Sequence, residues 1–294
     1  MLNSKTSTRI NRNNELAVHM SWWGMSGLGE NGREWTVEEK VRQIAIAGFD
    51  GINGFIPSPE DEEVWRRLLD DNGLAFSVNA YPTEAAQMEQ YLQKAKGYGG
   101  IDFINTQVMI PFLIDKPAVN LLRDLNHLSA EYEIPVFIET HRGTITQDLI
   151  RTVDYVQQLG DLPLTIDFSH FVVAGEMHTI SDEAEKLLQE VLVHTASIHA
   201  RVSNGEQVQV DIGAQAEHTM VPHYKRWWKQ GMKHWLSRAA DSQSFPVVCE
   251  LGPAPYAITV DEYSGRKQEI SDRWQQSLLL KELLHGLWSG IMEE

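Results

Sequence analysis

A chain of 294 residues, 42% of them hydrophobic, is long enough to bury one sizeable core, and single domains of this size are common among α/β barrels. A formal charge of −16 repels phosphate backbones and disfavours broad nucleic-acid binding, and one cysteine excludes an intrachain disulfide. No run approaches the ~20 apolar residues that cross a bilayer, and residues 1–14 lack the apolar core of a signal peptide, so the expectation is a cytoplasmic protein with neither nucleic-acid nor membrane partner.

Residues 1–15 read as a polar arm and 16–294 as one domain. The first predicted strand, 16–20, runs into the loop Ser21-Trp22-Trp23-Gly24-Met25. Thr36 with Glu39 makes a capping box for a helix that carries Val41, Ile44 and Ala45 on one face. A second strand over 49–55 and a helix over 60–69 follow. Asp71-Asn72-Gly73 ends that helix, and 74–79 forms the third strand. The alternation continues without a linker. A helix near 84–96 leads to a strand at 102–106, and helical stripes of Leu121, Leu122, Leu125 and Leu128, of Leu149, Ile150, Val153 and Val156, and of Ala184, Leu187, Leu188, Val191 and Leu192 separate the next three strands. Residues 203–219 form a long polar connection, of a length usually reserved for function or disorder. An aromatic-rich helix over 223–238, a strand ending at Cys249 and a helix over 271–288 complete the chain. Eight strands, each followed by a helix, predict a (β/α)8 TIM barrel whose C-terminal strand ends share one face.

Four of those ends carry polar groups after apolar residues. Pro135-Val136-Phe137-Ile138 leads to Glu139, Thr165-Ile166 to Asp167, Ala196-Ser197-Ile198 to His199, and Pro246-Val247-Val248-Cys249 to Glu250. Any one carboxylate there could simply cap the next helix, but three with an imidazole suit a divalent cation: Mn²⁺, Co²⁺, Zn²⁺ or Fe²⁺, with Mg²⁺ less favoured by the nitrogen donor. His170 lies three residues beyond Asp167, and Arg201 two beyond His199, on the same side if the strand persists. His141 follows Glu139 by two. Trp22, Trp23 and Phe55 are candidates for an apolar wall, Asn53 and Asn79 for hydroxyl contacts, and Tyr256 for presentation by the stiff loop of Gly252, Pro253 and Pro255.

This arrangement resembles the xylose isomerase-like TIM-barrel superfamily, specifically its sugar phosphate isomerase/epimerase branch, which has endonuclease IV as a relative. The likeness covers most of the chain in topology, and its specific content is Glu139, Asp167 with His170, His199 with Arg201, and Glu250. It implies a metal, usually Mn²⁺ or a similar ion, at Glu139, Asp167, His199 and Glu250. It also implies proton exchange with the substrate by Glu139 and Glu250, and substrate oxygens held by His170 and Arg201. The departures are informative. Asn53 and Asn79 stand where endonuclease IV-like enzymes place early histidines, no aspartate-x-histidine pair follows His199, and the lysine of classical xylose isomerases has no match near Asp167 or Glu139. One ion is therefore expected rather than three, without DNA repair.

The expected activity is isomerisation or epimerisation of a sugar or related polyhydroxy carbonyl compound by proton transfer α to the carbonyl, a step in which a metal offsets the developing enolate charge. Two other readings stay open: a metal-dependent lyase or dehydratase of a keto-sugar or inosose-like compound, and a non-catalytic small-molecule binding barrel. Trp227, Trp228, Trp235 and Leu236 give the 223–238 helix more aromatic surface than a barrel exterior needs. With the superfamily's tendency to form dimers and tetramers, this leads to the expectation of a homo-oligomer.

Overall fold

The computed structural model describes residues 13–263 and 265–294, so residues 1–12 of the expected arm lie outside the described residues. Eight strands are present in a closed barrel: β1 (Glu15–Ser21), β2 (Gly51–Gly54), β3 (Ala75–Ala80), β4 (Ile104–Thr106), β5 (Val136–Glu139), β6 (Leu164–Ile166), β7 (Thr195–Ala200) and β8 (Ser244–Cys249). Every neighbouring pair is parallel, and β1 closes the ring by pairing with both β8 and β2. Parallel pairing places all eight C-terminal ends on one face. It also buries the strands on both sides, which is why they read as short apolar runs rather than alternating ones.

Helices α1 (Val37–Ile46), α2 (Glu62–Asn72), α3 (Ala85–Tyr98), α4 (Asp115–Tyr132), α5 (Leu149–Leu159), α6 (Phe168–Ala174), α7 (Asp182–Leu192), α8 (Val221–Leu236) and α9 (Arg273–Met292) surround the barrel. Local signals set several of their ends. The Thr36–Glu39 capping box opens α1, and Gly73 closes α2 at φ 62°, a left-handed conformation that glycine adopts without a Cβ penalty. The expected one-helix-per-strand rhythm is interrupted twice. A small antiparallel hairpin, Gly29–Glu30 with Arg33–Glu34, precedes α1, and the short α6 is inserted between β6 and α7.

The barrel interior is polar at one level. His19 Nδ1 lies 3.1 Å from Ser77 Oγ, which also accepts from Asn53 Nδ2 at 3.1 Å. Burial pushes the His19 imidazole down to about 4, so it is neutral at ordinary pH. Gly51 makes room for it, because a Cβ there would sit 2.8 Å from His19 Nε2.

The aromatic residues of α8 do not form an outer surface. Trp227 and Trp228 are fully buried, Trp227 lies 5.2 Å from the Phe168 ring, and Trp235 packs on Phe245 at the same centroid distance. That takes Trp227 and Trp228 out of the surface on which α8 suggested self-association, while Trp235 stays half-buried. The 203–219 connection contains neither helix nor strand beyond the first turn leading into α8, yet Ser203, Val208, Gln209 and Ile212 are buried in it. It is tied down by Gln209, which donates to Gly252 O (3.0 Å) and accepts from Gly252 N (2.8 Å), and by the Tyr224 hydroxyl, which accepts from Ser203 N (2.9 Å). No helix among the described residues is long and apolar enough to cross a membrane.

Trp227→Ala should remove contacts with Phe168, Tyr224 and His223 and leave a cavity between α8 and α6. The expected loss is about 3–5 kcal/mol in denaturant unfolding; a loss below about 1 kcal/mol would mean that this ring is not a core element.

Candidate metal centre and pocket

Barrel closure brings the ends of β5 to β8 together. Glu139, Asp167, His199 and Glu250 each offer one ligand atom, and those atoms lie within 4.8 Å of one another. His199 Nδ1 faces both glutamates, 3.1 Å from Glu250 Oε2 and 3.5 Å from Glu139 Oε1. Arg201 places Nη2 against Asp167 Oδ2, Glu250 Oε2 (3.0 Å) and His170 Nε2 (3.1 Å), while its Nε donates to Ser169 Oγ (3.1 Å).

Asp167 and Glu139 each divide their oxygens between support and site. Asp167 Oδ1 accepts from Ser169 N (2.9 Å) and Ser169 Oγ (2.6 Å), thereby capping α6, and Oδ2 turns toward Arg201. Capping and site roles thus coexist in one side chain. Glu139 Oε2 accepts from Asn105 Nδ2 (2.6 Å) and Gln107 Nε2 (2.9 Å), whereas its Oε1 is buried with no hydrogen bond. An orphaned carboxylate oxygen costs desolvation free energy that a cation would recover. Three carboxylates against the Arg201 guanidinium leave a double negative charge when His199 is neutral, which is the charge of one divalent cation. The donor set therefore fits such an ion, with oxygen and imidazole ligands suited to Mn²⁺, Co²⁺, Zn²⁺ or Fe²⁺.

The protonation equilibria follow from the same crowding. Burial would raise Glu139, but the His199 charge beside Oε1 and the hydrogen bond from Asn105 outweigh it and hold the carboxyl below its ordinary range. Burial would lower His199, but Glu250 and Glu139 outweigh it and push the imidazole up, so in the metal-free protein this ring carries a proton with which a cation competes. Asp167 is raised by burial, with Arg201 opposing. His170 is held well below its usual value by burial and then by the neighbouring His141 and Arg201.

Above this cluster opens a cavity of about 200 Å³ lined by Trp23, Phe55, Asn79, Tyr81, Gln107, His141, Arg201, Glu250 and Tyr256. Trp23, Asn79, His141, Arg201 and Tyr256, each expected near substrate, are all in that wall. The other two expected contacts are not. His170 is fully buried beneath it, 3.6 Å from Asp167 Oδ2, in a position that orients Asp167 and Arg201. Asn53 is one layer deeper, because it pairs in register with Ser77, two residues before Asn79 on β3. Trp22 turns away from the cavity to meet Trp65 edge-on at 4.7 Å. Glu139 does not line the cavity either; Gln107 lines it and donates to Glu139 Oε2 (2.9 Å).

Asn105, Gln107 and Tyr81 escaped the sequence reading. A usable signal existed: Gln107 follows Asn105 by two, and Tyr81 follows Asn79 by two, continuing the inward side of β4 and β3. The wall is fixed by close packing. A Cβ on Gly252 would lie 1.9 Å from the Trp23 indole, which itself meets Tyr256 edge-on at 5.0 Å. The Tyr256 hydroxyl is 3.1 Å from His141 Nε2. Two larger cavities, about 370 and 500 Å³, lie at the opposite, N-terminal strand ends, away from the ligand atoms.

No family model matches this sequence, and no curated protein matches it. Solved structures do. A D-psicose 3-epimerase from Clostridium cellulolyticum H10 in complex with D-tagatose superposes with a TM-score of 0.57 at 12% identity, covering 93% of this chain and 99% of that one. A xylose isomerase-like TIM-barrel protein from Mycobacterium smegmatis in complex with magnesium gives 0.59 at 15%, covering 93% and 97%. The chain shares the (β/α)8 barrel fold of these proteins. A probable 3-DHS dehydratase involved in petrobactin synthesis in Bacillus anthracis shares this fold, with a TM-score of 0.54 at 14% identity over 91% of this chain and 98% of that one.

Calorimetric titration of chelator-treated protein with Mn²⁺ should show one ion per chain, and the double variant Glu139→Gln with Glu250→Gln should bind none. Undiminished uptake by the double variant would place the ion elsewhere.

Proposed function

We propose that the protein is a divalent-metal-dependent isomerase or epimerase of a sugar or related small polyhydroxy carbonyl compound, transferring a proton at the carbon α to the carbonyl. The carrying observation is the pair of cluster glutamates, Glu250 opening on the cavity and Glu139 immediately beneath it with one buried oxygen left unpartnered. The fold shared with a D-psicose 3-epimerase supports the reading.

An ion held by Glu139, Asp167, His199 and Glu250 supplies Lewis-acid stabilisation of negative charge on the carbonyl oxygen. Glu250, fixed through Oε2 by His199 and Arg201, takes the proton from the α carbon on the cavity side. Glu139 exchanges the second proton through Oε2 once the Gln107 side chain, which donates to that oxygen, moves aside, while Oε1 stays turned toward the other ligand atoms. Asn79 and Arg201 bind neighbouring oxygens. Trp23, Phe55 and Tyr256 exclude water, which strengthens every charge interaction within the cavity.

One observation favours elimination as a second reading. The Tyr81 phenol lines the cavity without a hydrogen bond among the described residues, and burial followed by the charges of Glu139 and Glu250 keeps it protonated. A neutral acid so placed could protonate a leaving β-hydroxyl, as a lyase or dehydratase requires. The shared fold of the probable dehydratase is compatible with that chemistry.

Incubation of the Mn²⁺-loaded protein with ketoses, inosose-like rings and 3-keto sugars in D₂O decides between them. Isomerisation or epimerisation should place solvent deuterium on the α carbon with the skeleton intact, and Glu139→Gln or Glu250→Gln should lower the rate at least about 100-fold. Loss of water that depends on Tyr81 would establish the lyase. Binding of the panel with neither product above the Glu139→Gln background would leave a binding barrel.

A further inference from the structure

The N-terminal end of the barrel carries polar groups that the chemistry above does not use. A (β/α)8 interior is ordinarily filled by layers of bulky side chains, but Ala17, two residues before His19 on β1, brings only a methyl group to this end. The space left is the cavity of about 370 Å³, whose wall includes Asp102, Phe103, Phe137 and Trp235 and which reaches inward as far as His19. Its aromatic side is ordered: Phe103 and Phe137 stack with ring centres 5.1 Å apart, and the His19 ring lies 5.9 Å from Phe103.

His19 and Asp102 both present acceptors. Ser77 Oγ accepts from Asn53 Nδ2 and donates its one hydrogen to Ile52 O (3.5 Å), so the His19 contact to it is a donation from Nδ1. In the neutral ring this leaves a lone pair on Nε2, which has no hydrogen bond among the described residues although His19 is only 1% exposed. Asp102 stands at the start of β4 and forms no ion pair among the described residues; partial burial raises its carboxyl, and no cation opposes the shift. The adjoining cavity of about 500 Å³ shares Phe137 and Trp235, but its charges are answered. Arg238 donates to Val193 O and Thr195 O, and Asp161 offsets its charge. Asp102 has no such counterpart.

We propose that the N-terminal cavity binds a small planar aromatic cation bearing N–H donors, an amidinium or a protonated amino-heteroaromatic compound. Its ring lies against Phe103, Phe137 and Trp235, its charge is held by Asp102, and His19 Nε2 is the acceptor at the inner end. The site is separate from the metal centre and does not depend on the proposed reaction. Aromatic faces attract positive charge, and a chain charge of −16 draws cations toward the surface. An anion would be repelled by Asp102, and a neutral ring would leave that carboxylate unanswered. The volume is that of a small-molecule site.

Calorimetry on the Mn²⁺-loaded protein with benzamidine, benzyl alcohol and benzoate tests the site. Benzamidine should bind about tenfold or more tightly than either of the others, and Asp102→Asn should weaken it about tenfold without changing Mn²⁺ stoichiometry. Ala17→Leu should fill the inner end and abolish benzamidine binding; if that variant does not fold, Asp102→Asn still decides. Equal affinity for the three compounds would reveal an unselective apolar cavity and overturn the proposal. Benzamidine binding that ignores Asp102→Asn would overturn it too, by putting the cation elsewhere on this acidic chain. So would the absence of binding up to about 10 mM benzamidine.

Discussion

Three carboxylates held at 6% exposure or less within one small volume are the constraint around which this barrel is built. Removing an ion from water costs several kcal/mol even after relaxation, and like charges at this spacing raise that cost further. Such a cluster persists only if each charge is answered. Arg201 answers Asp167 and Glu250, His199 answers Glu250 and Glu139, and two amides, from Asn105 and Gln107, answer the remaining Glu139 oxygen. These compensations leave Glu139 Oε1 without a hydrogen bond, its one charge contact being His199 Nδ1 at 3.5 Å, and facing the other ligand atoms. The cluster is thus compensated around its periphery and unsatisfied toward its middle, the opposite of a purely structural ion-pair network.

The fold supplies this arrangement through register. Parallel pairing carries β5 to β8 to the same face, and Thr140 ties the ends of β5 and β6 together by accepting from Asp167 N (2.9 Å) while its own N–H donates to Thr165 O (3.0 Å). A register irregularity between Leu164 and Thr165, where β6 meets β7, re-aims the strand just before Asp167. Loop packing then builds the wall above. Gly252 admits the Trp23 indole, Gln209 locks the Gly252 backbone, and Tyr256 stands between Trp23 and His141. The 203–219 segment therefore acts on the site from a distance, by holding the loop that carries the cavity's aromatic wall.

The eight strands, the capping signals and the four candidate ligands were legible in the sequence because each depends on local pattern. A buried parallel strand must be apolar, and a polar residue directly after it must leave by the C-terminal end, so Glu139, Asp167, His199 and Glu250 could be placed on one face without coordinates. The asparagines show where that reasoning stops. Asn53 and Asn79 look equivalent at the ends of their strands, yet the pairing of Asn53 with Ser77 sets it one layer below Asn79.

Other distinctions likewise belonged to the tertiary structure. Sequence spacing could bring His170 near Asp167 but not say that the ring is sealed beneath the cavity, nor that Trp227 and Trp228 of α8 turn into this chain's own core. Asn105 and Gln107 gave no sign of supporting Glu139, because their partner lies more than thirty residues away on a neighbouring strand. Hydrophobic period and strand-end chemistry act over a few residues, so the sequence by itself determined which groups reach the mouth of the barrel. Which of them meet, which face the cavity and which sit one layer down depends on strand register and long-range packing, and those exist only once the barrel has closed.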